Sequence, residues 1–444
     1  MKIKGLLTTV SVGTALMFAS SLMAQTVEKN VVQPDTSIWT LDRCIDYAMT
    51  HATDIRKKVV EADNARQDRG AALGGFMPSV SANVGAQFSW GRNVDPETNT
   101  YNTITTFNNS YSVGGSLTLF DGAQTWNTFR KARVAVRRSD NALAIAKDEK
   151  AIEVMERYVD AVYNEAALRI AEDKLADSRP LLEKTRRMEE LGEKSFPDVA
   201  QIEAQVADDE YQVEHQRTTM EKARVELQKV MGAPPTPKWG GSLAGIEGIQ
   251  CAAYTPLRGA RGGYFEAEYN LAISHLDYKI ACGRLWPSIS IGGGVSTGYY
   301  KILSSDALGT SFSRQMKDNL GEYVYASLSI PLFNFSAIKT VKKARNNVRL
   351  AEIEREETML KINSDYRQAV LDRDGYIKEV GLMERKVAND SIAHHLNSRK
   401  YEEGMLSTFD LHTSAQTLHN SKVRLLQTRL MAEIKKRLVE YYEE

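Results

Sequence analysis

The feature that most restricts this chain is that it carries its own pattern twice. Phe76-Met77-Pro78-Ser79-Val80-Ser81 returns as Leu285-Trp286-Pro287-Ser288-Ile289-Ser290, an offset of 287 − 78 = 209 residues. Leu119-Phe120-Asp121 returns as Leu332-Phe333-Asn334 at 333 − 120 = 213, and Gly192 with Asp198 returns as Gly404 with Asp410 at 212 in both cases. Self-similarity at one period means two copies of a single supersecondary unit, not the several unrelated domains that 444 residues would otherwise suggest. The seam is the Pro/Gly-rich stretch from Gly232 to Gly241 and on to 262, through which neither helix nor strand can propagate. The expected units are therefore 25–231 and 263–444, joined by a linker over 232–262.

Each unit reads as a moderate helix, an alternating strand, a polar loop, a second alternating strand and two very long helices. In the first copy the helices are expected at about 40–75, 124–191 and 197–231 and the strands at about 78–90 and 110–120. In the second they are expected at about 264–285, 336–402 and 407–442, with strands at about 287–299 and 323–333. The strands are the sharpest signal. Val80, Ala82, Val84, Ala86, Phe88 and Trp90 alternate with Ser81, Asn83, Gly85, Gln87 and Ser89, a strict period of two. Tyr111, Val113, Leu117 and Leu119 continue it, as do Ile289, Ile291, Val295 and Tyr299, and Val324, Ala326, Leu328 and Ile330.

The face opposite is built from Ser, Gly and Asn, where a soluble half-buried strand usually carries charge. Apolar-out, small-polar-in segments of about ten residues ended by aromatics are what a transmembrane barrel strand needs. A soluble sandwich is the competing reading of the pattern, weakened by the lack of a second sheet to cover the apolar face. With the helices on the inner side, Phe76, Phe120, Trp286 and Phe333 would mark the inner membrane interface. Phe88, Trp90, Tyr111, Tyr299, Tyr300, Tyr323 and Tyr325 would mark the outer one, and the loops Gly91 to Asn109 and Lys301 to Gly321 would face outside. Four strands cannot close a barrel, and an open edge in lipid leaves backbone groups without partners. Several chains must share one barrel: two would give eight strands filled by side chains, three would give twelve with an opening.

The helices set the other dimension. Gln124 to Leu191 is 191 − 124 + 1 = 68 residues without Gly and with one proline, Pro180, so at 1.5 Å per residue it could reach about 100 Å. Its apolar stripe is narrow: Ile152, Met155, Val159, Val162, Ala166 and Ile170 step by three or four. Similar stripes run through Val199, Ile202, Val206 and Val213 and through Val341, Ala344, Val348, Met359, Ile362, Tyr366 and Ala369, the pattern of coiled-coil packing between neighbours.

The first 24 residues read as an export signal: Lys2 and Lys4, an uncharged apolar stretch from Leu6 to Leu22, and Ala24 at the cut. Gln25, not Cys, follows the cut, which disfavours a lipid anchor, and no apolar run is long enough for a transmembrane helix. Lys+Arg 57 balance Asp+Glu 57, so no basic excess exists to neutralise nucleic-acid phosphates. Three cysteines, Cys44, Cys251 and Cys282, are an odd number without C-x-x-C spacing, which suggests buried thiols over a Cys251–Cys282 bridge. There is no G-x-S-x-G, H-E-x-x-H, P-loop or helix-opening G-x-G-x-x-G, so no enzyme is expected. His394-His395 and the pair His412 with His419 could take a metal, but lone histidine pairs on a charged helix are usually solvated; neither metal nor cofactor is expected.

Signal peptide, duplicated strand pairs, paired helices of this length and a Gly-x5-Asp break in each copy together resemble the TolC family of outer-membrane efflux ducts over essentially the whole mature chain. The resemblance implies a homotrimer with a shared twelve-strand barrel continued by an α-helical periplasmic tunnel. It also implies partners: a periplasmic adaptor at the tip, an inner-membrane transporter of RND, ABC or MFS type, and outer-membrane lipid. The exit duct would serve a tripartite efflux pump or type I secretion. In the family the gate carries Asp198, Tyr401 and Asp410, with Tyr401 linked to Asp198 when closed and Asp410 forming a cation-favouring ring. A basic residue in that link is Leu406 here, and the second acidic ring position is Thr413, so the gate is expected to be less tightly linked and its ring less charged. Asp198 and Asp410 also read as helix N-terminal caps. The turns carrying Gly192, Ser195 and Phe196, and Gly404, Met405, Leu406 and Ser407, are the expected adaptor contacts. The alternative class is a non-conducting coiled-coil rod or adhesin, which would explain the helices but not the strands; an ordinary porin would explain the reverse.

Overall fold

The computed structural model describes residues 38–94, 100–234, 243–245, 256–303 and 311–443. The export signal 1–24, Cys251 and most of the expected linker lie outside the described residues. The elements are α1 (Leu41–His51), α2 (Thr53–Gly74), β1 (Ser79–Val94), β2 (Tyr101–Phe120), α3 (Gln124–Glu190), α4 (Phe196–Met231), α5 (Arg261–Gly283), β3 (Ser288–Ile302), α6 (Phe312–Asp318), β4 (Gly321–Ser329), α7 (Phe335–Glu402) and α8 (Thr408–Glu443).

The four strands form one antiparallel sheet in the order β1-β2-β3-β4. Register puts the alternation on common faces: Ala82 lies opposite Val113, Val113 opposite Val295, and Ile291 opposite Ala326. Val80 (73% exposed), Val84 (72%) and Val324 (90%) stand uncovered on that apolar face. The other face holds Ser81 across from Gly114 and Ser112 across from Ser296. Tyr323 and Tyr325 stack on each other, ring centroids 6.3 Å apart, and they fall on this Ser/Gly face. A Cβ placed at Gly292 would come within 2.6 Å of the Tyr325 ring, so the rings lie over a lane kept open by glycine. Of the expected outer-interface aromatics, Phe88, Trp90, Tyr111 and Tyr299 share the apolar face, whereas Tyr300, Tyr323 and Tyr325 do not, because their register is odd to it.

Three further boundaries differ from expectation. β1 and β2 run on to Val94 and from Tyr101, since the loop read as polar is rich in Thr, whose branched Cβ suits a strand. β4 ends at Ser329 instead of continuing to 333, because Pro331 has no N–H to give a ladder. The single helix expected over 40–75 is two, broken at Ala52 (ψ 128). Ala52 is buried there, and a Cβ on Gly232 would meet the His51 carbonyl oxygen at 2.7 Å.

α3 packs along α4 and α7 along α8, giving two helical hairpins, with α5 against both α3 and α7. The main core lies where α1 crosses α3, α4 and α8: Leu41, Cys44, Ile45 and Ile55 meet Val154, Tyr158, Val162, Leu227, Met231 and Leu430. Burial pushes the Cys44 thiol up to about 12, consistent with an inert core residue. Asp148, fully buried, accepts backbone N–H bonds from Leu257, Arg258 and Gly259 at 2.7, 2.8 and 3.0 Å. One carboxylate thus fixes the entrance to the second copy onto the long helix of the first. No helix among the described residues is long and apolar enough to cross a membrane.

Candidate functional site at the helical tip

The two hairpins turn at 191–195 and 403–407, and the turns are built alike. After α3, Gly192 (φ 81) leaves the helix; after α7, Gly404 (φ 72) does so. In the first turn Glu193 N–H reaches Met188 C=O and Gly192 N–H reaches Glu189 C=O, both at 2.8 Å. In the second, Met405 N–H reaches Lys400 C=O at 2.8 Å and Gly404 N–H reaches Tyr401 C=O at 3.0 Å. These paired bonds satisfy the last helical carbonyls and need a left-handed residue, which glycine supplies without strain.

The next helices start alike as well. Asp198 accepts from the Ser195 hydroxyl at 2.7 Å and from its N–H at 3.1 Å. Asp410 accepts from the Ser407 hydroxyl at 2.7 Å while Asp410 N–H donates to Ser407 Oγ at 3.1 Å. Asp198 therefore closes a capping box with the N-cap Ser195, whereas in the second copy Ser407 caps the Asp410 N–H and the Asp410 carboxylate takes only the Ser407 hydroxyl; both acids complement the helix dipole.

Beyond the caps the two copies part. Asp198 also accepts from the Thr408 hydroxyl, 3.0 Å away on α8, which ties the first hairpin to the second. Thr408 is only 2% exposed. The Ser195 hydroxyl and N–H, then Thr408 and Lys194, hold the Asp198 carboxyl below the usual carboxylate range. Tyr401 is 1% exposed. Its hydroxyl lies 3.2 Å from Thr185 Oγ1, and because Thr185 donates to Leu181 C=O at 2.8 Å, Tyr401 is the donor in this bond. Lys194 Nζ sits 4.4 Å above the Tyr401 ring. Tyr401 therefore does link the hairpins, but through Thr185 and not through Asp198 as the family pattern implied; Thr408 takes the place at Asp198. Asp410 is exposed and bonds within its own turn. Thr413 bonds Phe409 C=O in its own helix.

Phe196 and Met405 are each 73% exposed at the tip; Leu406 is half-buried. The sequence does not single out Thr185, and it marks Lys194 and Thr408 only as members of the expected adaptor-contact turns 193–196 and 405–408. Thr408 corresponds to Phe196 in the first copy, so the repeat itself hid it, and Thr185 reads as one more polar residue on a charged helix.

Beside Tyr401 a cleft of about 640 Å³ opens between the hairpins, lined in part by Lys174, Asp209, His394, His395, His412 and His419. The histidines gather here, yet no three of the His, Cys, Asp and Glu residues form a metal-holding group among the described residues. Lys174 bonds Asp209 at 2.9 Å, a pair 15% and 1% exposed. Burial lowers the pKa of His394, His412 and His419, favouring the neutral rings.

At the membrane end, Phe76 packs edge-on against Trp126 at 6.2 Å and Phe129 at 6.1 Å. Phe120 closes β2, Trp286 lies in the turn before β3, and Phe333 (80% exposed) lies past the end of β4. Trp90 and Tyr299 lie toward the opposite end of the strands. Trp126 escaped the sequence reading because it sits on a helix.

Comparison with known proteins agrees with this architecture. The family model described as outer membrane efflux protein matches residues 44–233, the first of the two copies. The chain is 21% identical over 434 residues to the pyoverdine export outer membrane protein OpmQ of Pseudomonas putida, covering 92% of this chain and 88% of that one. CusC superposes with a TM-score of 0.76 at 16% identity over 90% of this chain and 91% of its own. VceC of Vibrio cholerae superposes with 0.75 at 12% identity over 90% and 95%. Matched by the outer membrane efflux protein model over its first copy and sharing the fold of these channels from sheet to tip, the chain is similar to the outer-membrane factors of the TolC type, outer-membrane proteins that extend into the periplasm.

Proposed function

We propose that the protein is the exit duct of a tripartite efflux pump or type I secretion system, working as a homotrimer with a gated periplasmic entrance. The observation that carries this reading is the sheet: four strands apolar on one side and Ser/Gly on the other, in which, among the described residues, no further strand pairs with the outer edge of β1 or of β4. Such edges are unstable in lipid unless another copy covers them. α7 supports the same conclusion, since Leu350, Leu360, Leu371 and Leu382 are 57 to 72% exposed along it in the single chain. The tunnel does no chemistry; the helices form a wet wall, and cargo passes down its gradient or is pushed by the pump. Asp198, Tyr401 and Asp410 are the gate residues, and Phe196 and Met405 the adaptor contacts. An RND, ABC or MFS transporter drives the system through a periplasmic adaptor.

The test is a photo-crosslinking residue at Ser407, introduced in the native cell. Capture of a periplasmic adaptor is the expected result and names the pump; capture of cell wall or an extracellular ligand, or no capture at all, overturns the reading in favour of a rod or adhesin.

A further inference from the structure

Where β4 stops, β3 does not. β4 pairs from Ser329 opposite Ser288 up to Gly321 opposite Ser296, but β3 continues to Ile302, leaving the edge of residues 297–302 without a strand. The chain covers that edge with α6. Gln315 imitates a strand residue: its Oε1 accepts from Tyr300 N–H at 2.8 Å and its Nε2 donates to Tyr300 C=O at 2.9 Å. Asn319 Nδ2 donates to Gly298 C=O at 2.8 Å, and the Thr297 hydroxyl to Met316 C=O at 2.7 Å. Phe312 rests on Tyr299 with centroids 5.1 Å apart. Thr297 and Tyr299 belong to the apolar face, so α6 leans to that side of the wall.

The same shortfall recurs across the sheet. β1 has sixteen residues and β4 nine, so when β4 of one copy pairs with β1 of another, seven residues of β1 (16 − 9) are left over. With the inner ends of the two strands level, that excess is residues 88–94 at the outer end of β1, facing the position that α6 occupies in place of β4. That outer end carries Phe88 (51% exposed) and Trp90 (74%), on the same apolar face toward which α6 leans, and α6 offers Phe312 (49%). Among the described residues no further strand pairs with the outer edge of β1, and no other described helix lies over Phe312. An uncovered strand edge with exposed aromatics needs a cover, and continuity with the β4 edge sets what that cover is.

We propose that α6 is a wall segment between copies, on which the outer end of β1 from a second copy of this chain docks. The rim of the barrel then consists of three strands from each of three copies, with an α6 in each of the three gaps where β4 is missing. This rests on the shared-barrel reading, and the experiment separates the two. A photo-crosslinking phenylalanine analogue is placed at Lys317 in α6 and, in a second variant, at Glu322 at the start of β4. Each full-length variant is irradiated in native outer membranes and its products are resolved by denaturing gel and peptide mass spectrometry. The expected result is a product of twice the chain mass from both variants, with the Lys317 product containing residues 88–94 of the second copy. A double-mass product from Glu322 together with only single-mass or lipid products from Lys317 overturns the role of α6 and leaves the shared barrel standing. Single-mass products from both overturn the two together.

Discussion

Replacing Thr408 by Val removes one hydroxyl and keeps the side-chain volume, which isolates the bond from Thr408 to Asp198 across the hairpins. A neutral hydroxyl given to a half-exposed carboxylate contributes about 1 kcal/mol net, toward the lower end for a charged acceptor because water competes. That alone is about a fivefold shift toward separated hairpins in one chain, and about a hundredfold if three chains move in concert. Other ties remain: Tyr401 to Thr185, Lys174 to Gln416 at 2.7 Å, and Lys184 to Glu402 at 3.2 Å, an exposed pair that contributes little. Asp198 keeps its cap to Ser195, so α4 should stay intact and circular dichroism unchanged. The assay is the open probability of single channels in planar bilayers, with entry of a large antibiotic into cells as the companion readout. A fivefold or greater rise in open probability is expected, and Tyr401→Phe should add to it. An open probability within twofold of the parent, with the protein folded and trimeric, would refute the assignment of this bond as a latch.

Gly192→Ala and Gly404→Ala force a Cβ into φ 81 and φ 72, at a cost of about 1 kcal/mol each. Because nothing lies within 4 Å of either position, the effect should be strain alone, read as faster proteolytic nicking at the tip with a small change in thermal unfolding. Asp148→Ala leaves the buried Gly259 N–H and the part-buried N–H groups of Leu257 and Arg258 without this acceptor, which should cost about 2 kcal/mol or more and appear as protease sensitivity near 257; Asp148→Asn should recover part of it. The pH response follows from the cleft. His394, His412 and His419 lie below their ordinary 6.5 when packed against Lys174, Asp177, Asp208, Asp209 and Lys422. The unpacked cleft therefore binds more protons, and packing stability present above about 6.5 is lost as pH falls through the lowered values. Conductance or hairpin proteolysis should rise between pH 7.5 and 5.5, and the triple Gln variant should flatten that rise.

Much of this architecture was readable because its signals are local or periodic. Strand alternation needs only neighbours two apart, and the placement of Val80 to Trp90, Tyr111 to Leu119 and Ile289 to Tyr299 on one face follows from it. The caps were readable for the same reason: Gly192 with Ser195 and Asp198, and Gly404 with Ser407 and Asp410, are short-range chemistry. What escaped depends on contacts distant in sequence. The break at Ala52 lies in close contact with Gly232, about 180 residues away, and no Gly or Pro marks it locally. Thr185 becomes part of the latch only through Tyr401, 216 residues on. α6 sits in a loop that reads as polar, and its purpose depends on β4 being short.

The latch also explains why two acids at equivalent positions differ in role. In the proposed homotrimer the tips would form a ring of six hairpins, each with a neighbour on both sides, and the 212-residue offset maps Thr408 onto Phe196 and Asp198 onto Asp410. Within a chain Asp198 faces the Thr408 hydroxyl and is held. In that ring the equivalent approach between chains would bring Asp410 toward Phe196 of the next copy, and a phenyl ring has no hydrogen to donate. Asp410 would then have no donor across the seam and could face the pore, while the two hairpins of one chain are bound to each other. Opening should then separate copies before it separates the hairpins of one copy. Phe196→Thr supplies the missing donor, since Phe196 is 73% exposed and its replacement removes no core contact. One added bond per interface is again about 1 kcal/mol, so open probability should fall severalfold in the variant and return to the parent level in Phe196→Thr combined with Asp410→Ala. A Phe196→Thr channel that opens as often as the parent would show that the entrance does not part along the seam between Asp410 and Phe196.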